Sequence, residues 1–384
     1  MTDPTWDVVV IGAGPAGSAA AAAAASTGAR VLILERANLP RYKLCGGGLI
    51  GGSLQALPDG FEPPVRNLAH RASFTYDLDR EVVRQASETL IPMVMRDDLD
   101  LALTEHATKR GAVLKSGTTV DRIEATGDRV RLETSAGEIS ARCLVGADGS
   151  ASITARVVGA RYRQVDLGME VELEADPVHR DAWSGRVLID FGRVRGGYGW
   201  IFPKGDRLTV GVIAAKGLIA EQRQYLADLI DAHDLGGLSI AHQGGHLTRC
   251  RATDSPLSSG RILLAGDAAG LLEPWTREGI SFALRSGTLA GTAAARMSAI
   301  SSESGLASER ERYGQDVATG MGAEMAVGFR ALAAYERHPK AFYRALATDP
   351  GWNAFVRLTR GQTTLARAGR HPIVRTALTA LAAR

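Results

Sequence analysis

The chain has 384 residues, 45% hydrophobic and 23% charged, enough for two or three domains around a large core. A formal net charge of +3 is too small to argue for a nucleic-acid partner. Three cysteines, Cys45, Cys143 and Cys250, show neither metal-ligand spacing nor a paired framework, so no metal and a reducing, cytoplasmic setting are expected.

In chain order, Asp7–Glu35 reads as strand, tight glycine turn, alanine helix, strand. The N-terminus carries no basic region or cleavage site and does not read as a signal peptide. The apolar run Ala19–Ala25 is too short to span a bilayer. Asp97–Arg110 reads as a helix, followed by short strands at Ala112–Leu114, Thr118–Ile123, Val130–Thr134 and Cys143–Ala147. From about 168 to 215, segments such as Met169–Leu173, Val187–Phe191 and Leu208–Ile213 cluster β-formers between glycine turns. They predict a separate antiparallel sheet that forms a substrate wall. Glu221–Ala232 reads as a helix, and Arg261–Ala265 returns to a buried strand. His242 and His246 are separated by Gly244 and Gly245, which reads as a turn with solvated histidines. The Ser- and Glu-rich stretch Ser298–Ser308 is expected to be an exposed connection, with helices from there to the end.

The tail from Lys340 onward is basic: Arg344, Arg357, Arg360, Arg367, Arg370, Arg375 and Arg384 face a single acid, Asp349. It also carries Phe342, Trp352, Phe355, Ile373 and Leu378. Two readings stand: a helical cap with a solvated arginine face, or an amphipathic surface making peripheral contact with the inner face of an anionic membrane.

Gly12-Ala13-Gly14-Pro15-Ala16-Gly17 lies between the first strand and the alanine helix. The first glycine makes the turn, the second admits a pyrophosphate, and the third lets helix and strand pack closely. Free N–H groups at the helix N-terminus then meet the phosphates. Glu35 ends the second strand, where a carboxylate can hold ribose hydroxyls; Arg36 follows it. A second stretch, Gly266-Asp267-Ala268-Ala269-Gly270 with Glu278-Gly279-Ile280, identifies the dinucleotide. Asp267 can bond a ribityl hydroxyl, and the amides near Gly279 and Ile280 can face the electron-rich edge of an isoalloxazine. A third element is Gly146-Ala147-Asp148-Gly149, with Ser152 and Arg156 downstream. Val120 joins Gly12, Gly14, Ala16, Gly17, Glu35, Arg36, Asp148, Asp267, Gly279 and Ile280 in the expected cofactor set.

These elements in this order resemble the FAD-dependent oxidoreductases built like aromatic hydroxylases, over roughly residues 5 to 300. The resemblance implies an α/β fold, and it places Arg96, just before the helix at Asp97, near the FAD. Residues 1–72, 93–160 and 251–300 would form a Rossmann-type FAD-binding domain. An antiparallel-sheet substrate domain (73–92 and 161–250) would be inserted in it, and 301–384 would form a helical C-terminal region. Only one dinucleotide fingerprint is present, so electrons would come from a transient NAD(P)H or from a protein carrier.

Two further runs narrow the resemblance to the geranylgeranyl reductase family: Arg41-x-Lys43-x-Cys45-Gly46-Gly47 and Tyr198-x-Trp200-x-Phe202-Pro203-Lys204. Cys45 with Gly46 and Gly48 makes an opening against which a flat group can lie. Tyr198, Trp200 and Phe202 alternate along one strand, so they share a face, and they line either a channel for an isoprenoid or ordinary sheet packing. The family pattern Asn-Pro-x-Thr-Gly-Glu-Gly is replaced here by Glu273-Pro274-Trp275-Thr276-Arg277-Glu278-Gly279. Arg277 is therefore expected near the flavin or pocket mouth, either as a subfamily trait or to accommodate a polar or anionic end of the substrate.

Such a resemblance implies saturation of carbon–carbon double bonds in a prenyl chain, by hydride from N5 of reduced FAD plus a proton. Cys45, Tyr198 or bound water are the candidate proton donors, and Cys45 has a second possible role in positioning the flavin through its backbone. The competing activity is a flavin monooxygenase or, less favoured because the first tryptophan of the Trp-x-Trp-x-Ile-Pro element is missing, a halogenase. Either would act on a small hydrophobic substrate.

Overall fold

The computed structural model describes residues 6–383; Arg384 of the basic tail and the first five residues lie outside it, as does the side chain of Ile373. Two large sheets organise it. The first has eight strands and is parallel at its centre, with Trp6–Ile11 between Gly137–Gly146 and Val31–Leu34. Ile262–Leu264 and Val113–Lys115 extend it in parallel on either side. A parallel sheet covered on both faces needs strands apolar throughout, and Val8, Val9, Val10, Val31, Ile33 and Leu144 have no exposed surface.

The alanine-rich helix Pro15–Ala25 lies against the long helix Ile280–Ser298. A Cβ at Gly287 would stand 2.2 Å from the Ala16 carbonyl oxygen, and one at Gly291 would stand 2.0 Å from that of Ala20. The two helices therefore meet at backbone distance, which explains both the alanines and the glycines. Ala16 is part of this packing.

The second sheet has seven strands, in the order Ile240–Arg251, Tyr162–Glu174, Arg207–Ala215, Tyr198–Pro203, Arg186–Phe191, Arg71–Tyr76 and Asp79–Gln85. It is antiparallel except where Arg186–Phe191 runs parallel to Arg71–Tyr76. Strand residues alternate between faces. One face, with Val171, Leu173, Ile201, Val210 and Val212, packs under Tyr225 and Leu229 of the helix Ile219–Ala232. The other face is directed at the Cys45 loop and at the C-terminal helices.

That inner face changes character across the sheet. Paired positions give the rows Gly244, Glu170, Gly211, Trp200 and His242, Glu172, Thr209, Phe202. It is polar at the Ile240–Arg251 edge. At the other edge Phe74, Phe191 and Tyr198 meet Tyr335, Phe342, Trp352 and Phe355 from the helices Ala323–Arg337, Pro339–Leu346 and Asp349–Thr359.

Two expectations need correction. His242 and His246 lie on the regular strand Ile240–Arg251, where the paired strand overrides the turn tendency of their two glycines. The stretch after Ser298 is not a long connection: helix resumes at Glu303, capped by the Ser302 hydroxyl, which accepts from the Gly305 amide at 3.2 Å. The basic tail uses Phe342, Trp352 and Phe355 to cover the second sheet, so those rings are not an open apolar face. No helix of the described residues is long and apolar enough to cross a membrane.

Candidate active site

The turn after Trp6–Ile11 is a cradle built from missing side chains. Gly12 has φ +99°, and a Cβ there would stand 2.4 Å from the Ala147 carbonyl oxygen. At Gly17 a Cβ would stand 1.8 Å from the Gly12 carbonyl oxygen. Glu35 closes the cradle: its Oε2 accepts from the Ala13 amide at 2.8 Å and its Oε1 from the Ala37 amide at 3.1 Å. Two guanidinium groups face Gly14, with Arg41 Nη2 and Arg96 Nη2 at 3.7 and 3.9 Å from where its Cβ would be. Both are held by the buried Asp100, Arg96 at 2.8 and 2.9 Å and Arg41 at 3.2 Å. A side-chain-free helix N-terminus, two converging cations and a terminal carboxylate fit the pyrophosphate and ribose of a dinucleotide. Arg41 and Asp100 were not singled out from the sequence as cofactor residues. Arg36 is exposed past Glu35, and Val120 packs half-buried against the core of the first sheet.

Asp267 stands opposite, near residues from three other segments. His246 Nε2 lies 3.7 Å from its Oδ2, 2.9 Å from Lys43 Nζ and 3.4 Å from Ser150 Oγ. Burial raises the Asp267 carboxyl, but the His246 hydrogen bond and the nearby Lys43 charge outweigh it and hold it below the ordinary carboxylate range. Burial and the Arg96 charge lower Lys43. Gly279 precedes the long helix that Ile280 begins. Glu278 Oε1 accepts from the Ser281 amide at 2.6 Å, and burial raises this carboxyl to about 8. The Asp148 carboxylate is engaged locally: it accepts from Ser152 Oγ at 2.6 Å and from the Ile153 amide at 2.8 Å. Its part in a cofactor site is therefore to shape the backbone that packs on Gly12.

Arg277 is not at a pocket mouth. It adopts φ +56°, the region its family glycine would favour, and its side chain is 4% exposed. Its Nε donates to Asp166 at 2.9 Å, with Nη1 and Nη2 on the Trp275 and Gly196 carbonyls at 2.6 and 2.9 Å. The guanidinium turns inward because Asp166, at the end of a sheet row, offers a buried counter-charge. Tyr198 is likewise committed: its hydroxyl donates to the Thr276 carbonyl, and burial raises its pKa. That makes it a poor proton donor.

The Cys45 run crosses the inner face of the second sheet at right angles to the strands. Leu44 Cδ1 would touch a Cβ on Gly244 at 3.0 Å, the Cys45 amide donates to Glu170 Oε1 at 3.1 Å, and a Cβ on Gly46 would meet the Phe202 and Trp200 rings at 3.1 and 3.6 Å. Successive loop residues thus lie over the strands Ile240–Arg251, Tyr162–Glu174 and Tyr198–Pro203. Gly47, at φ +74°, sits over Lys204, whose Nζ donates to the Cys45 carbonyl at 2.8 Å. Gly48 bridges to Met93. Tyr198, Trp200 and Phe202 do share a face, with ring centroids 5.8 and 6.1 Å apart along the strand. A Cβ on Gly211 would stand 2.2 Å from the Trp200 ring, so that glycine makes room for the indole.

Sequence reasoning passed over Glu170, Glu172, Lys204 and His246 as site residues. Alternating acids inside the apolar run Met169–Leu173 were the available signal, because a charged residue in a strand interior is exceptional unless it is paired.

The FAD binding domain family matches residues 5–189. Digeranylgeranylglycerophospholipid reductase 1 of Methanopyrus kandleri is 31% identical over 330 residues, 80% of this chain and 84% of that protein. The chain belongs to the geranylgeranyl reductase family of FAD-dependent oxidoreductases. A second similar protein is the menaquinone reductase of Mycolicibacterium smegmatis, 31% identical over 74% of this chain and 75% of that one. Among solved structures, a geranylgeranyl bacteriochlorophyll reductase-like protein of Thermoplasma acidophilum superposes with a TM-score of 0.77 at 21% identity, covering 98% of this chain and 99% of that one. The flavin-dependent brominase Bmp2 superposes almost as well, with a TM-score of 0.73 at 19% identity over 98% of this chain and 97% of its own. The fold of this geranylgeranyl reductase family member is thus shared with halogenating flavoenzymes, and its sequence relatives separate the two activities.

Proposed function

We propose that the protein saturates carbon–carbon double bonds of a prenyl chain. The observation that carries this is the glycine-rich Cys45 loop laid over Trp200 and Phe202, which puts an apolar aromatic surface and an ionisable one under a single loop. Reduced FAD, when bound, supplies the hydride. Arg41 and Arg96 would neutralise the phosphates of the cofactor and Glu35 would hold its ribose. Asp267, kept ionised beside His246 and Lys43, would accept from the ribityl chain. Trp200 and Phe202 would offer faces to an isoprenoid and exclude water, while the Cys45 loop, tied down by Glu170 and Lys204, would fix the distance of the thiol from the reacting bond. Electrons would arrive from a transient NAD(P)H or a protein carrier. Peripheral contact with an anionic membrane would fall to the arginines of the tail, and flotation with anionic vesicles tests it.

Anaerobic incubation of chemically reduced holoenzyme with a panel of polyprenyl alcohols, diphosphates and quinones tests the reaction. The expected result is a product heavier by two hydrogens for each bond reduced. Absence of saturation across the panel, with product formed only when oxygen is consumed, would replace this reading by hydroxylation.

A further inference from the structure

Glu170 lies under the Cys45 amide in the middle of the inner face, and it is 1% exposed. Its Oε1 accepts from that amide; its Oε2 is buried without any hydrogen-bond partner. A buried carboxylate left in this state is costly, and the neutral acid is the cheaper form. The nearest cation does not relieve it. Lys204 Nζ donates to Glu172 Oε1 at 3.1 Å and to the Cys45 carbonyl, so its charge answers Glu172, the next acid on the same face. Glu172 Oε2 is unpartnered as well. Two carboxylates beside one ammonium retain a proton between them. Asp190 in the same sheet shows the contrast: Thr75 and the Leu78 amide donate to one of its oxygens and Tyr225 to the other.

We propose that Glu170 is the proton store of the reduction, acting through the Cys45 thiol whose backbone it holds. This rests on the reductase reading above. In the step, the Cys45 S–H bond breaks as its proton forms a C–H bond at the alkene carbon that does not receive hydride. The electron pair left on sulfur takes the Glu170 proton, and the carboxylate is reprotonated from solvent. The Arg96 charge, which interacts with Cys45, offsets the negative charge that passes through the sulfur. The half-buried Tyr42 feels both glutamates and Arg207, and its hydroxyl and the Arg207 Nη1 are buried without partners, so the polar surroundings of the two acids extend beyond the sheet face. Glu170 is met by Glu172 on its own strand, Lys204 from the turn after Tyr198–Pro203, and Tyr42, Lys43 and Cys45 from the loop; Arg207 on the paired strand acts on Tyr42, and His242 and His246 lie two positions either side of Gly244 on the edge strand. Burial raises the Glu170 carboxyl to about 7, with Lys204 opposing and Glu172 reinforcing the shift. That matches a group that must give up a proton near neutral pH.

The test uses FAD-loaded wild type, E170Q, E170D, C45A and the C45A/E170Q double variant, with geranylgeranyl diphosphate as probe under anaerobic single turnover. In wild type the rate falls as pH rises through neutrality. E170Q is slower by about 100-fold with a flat pH profile, and E170D restores part of the rate together with the profile. The double variant is no slower than the slower single one, because both residues serve one relay; additive losses overturn the relay. A readout independent of turnover is the carboxyl carbon signal of ¹³C-labelled glutamate. The resonance lost in E170Q should still be protonated at pH 6 in wild type, and full ionisation there overturns the proposal. Wild type that saturates no member of the polyprenyl panel defeats the reductase reading instead, while the carboxyl titration still reports on Glu170.

Discussion

At the phosphate cradle the chemistry is prepared by removing side chains, whereas on the inner face of the second sheet it is prepared by burying charged ones. Gly12 and Gly17 let strand and helix close on each other because a single Cβ at either would strike a backbone oxygen. Glu170, Glu172 and Lys204 are each 1% exposed; Lys204 holds Glu172, and Oε2 of each glutamate is left without a partner. The first region tolerates almost no added volume, and the second almost no change of charge. A binding cradle needs backbone amides brought close to an anion; a proton-handling site needs a low dielectric that makes one proton hard to lose.

Lys204→Met gives the sharpest test of that difference. It leaves Glu172 without its counter-charge, and removal of one partner from a buried pair costs about 3–5 kcal/mol. The urea midpoint should fall most at neutral pH and recover at acid pH as the carboxyls protonate; an equal fall at every pH would mean that the lysine only fills space. A second, pH-dependent effect belongs to Glu278, raised from 4.5 to about 8 by burial. A carboxyl raised in the folded state contributes stability that is fully present below its unfolded pKa and lost as pH rises through its folded pKa. Wild type should therefore lose stability between pH 4.5 and about 8, with Glu170 adding in the same direction, and E278Q should flatten part of that slope in urea titrations.

On the cradle side, Gly17→Ala places a Cβ 1.8 Å from the Gly12 oxygen. Overpacking of this kind costs about 1–3 kcal/mol, and the purified variant should carry little flavin by its visible absorbance. Retention of full flavin with an unchanged Tm would show that the turn relaxes freely. The smallest effect is expected from Ser152→Ala. It removes the hydroxyl that accepts from the Ala155 amide at 2.7 Å and donates to Asp148, a loss of about 1 kcal/mol by calorimetry. Flavin affinity should hardly move.

The cradle was legible because its residues are neighbours in the chain: Gly12 to Gly17 carry the turn, the approach and the packing within one local motif. The aromatic stripe was legible for the same reason, since alternation puts Tyr198, Trp200 and Phe202 on one face of any strand. The contacts of Arg277 and of the Tyr198 hydroxyl were not legible, because their partners, Asp166 for one and the Thr276 carbonyl for the other, come from distant segments. His246 reached the site through strand pairing that local turn chemistry argued against.

By itself, the amino-acid sequence determined the glycine turn between the first strand and helix, the family and the shared face of three aromatic residues. Each of these rests on spacing within a few residues and on the period of a helix or a strand. Only the tertiary structure decided that the Cys45 loop crosses the sheet over Glu170, that Lys204 serves Glu172, and that Arg277 turns inward. Those outcomes depend on sheet register, and a shift of one residue would have sent Glu170 to the opposite face, under the helix Ile219–Ala232.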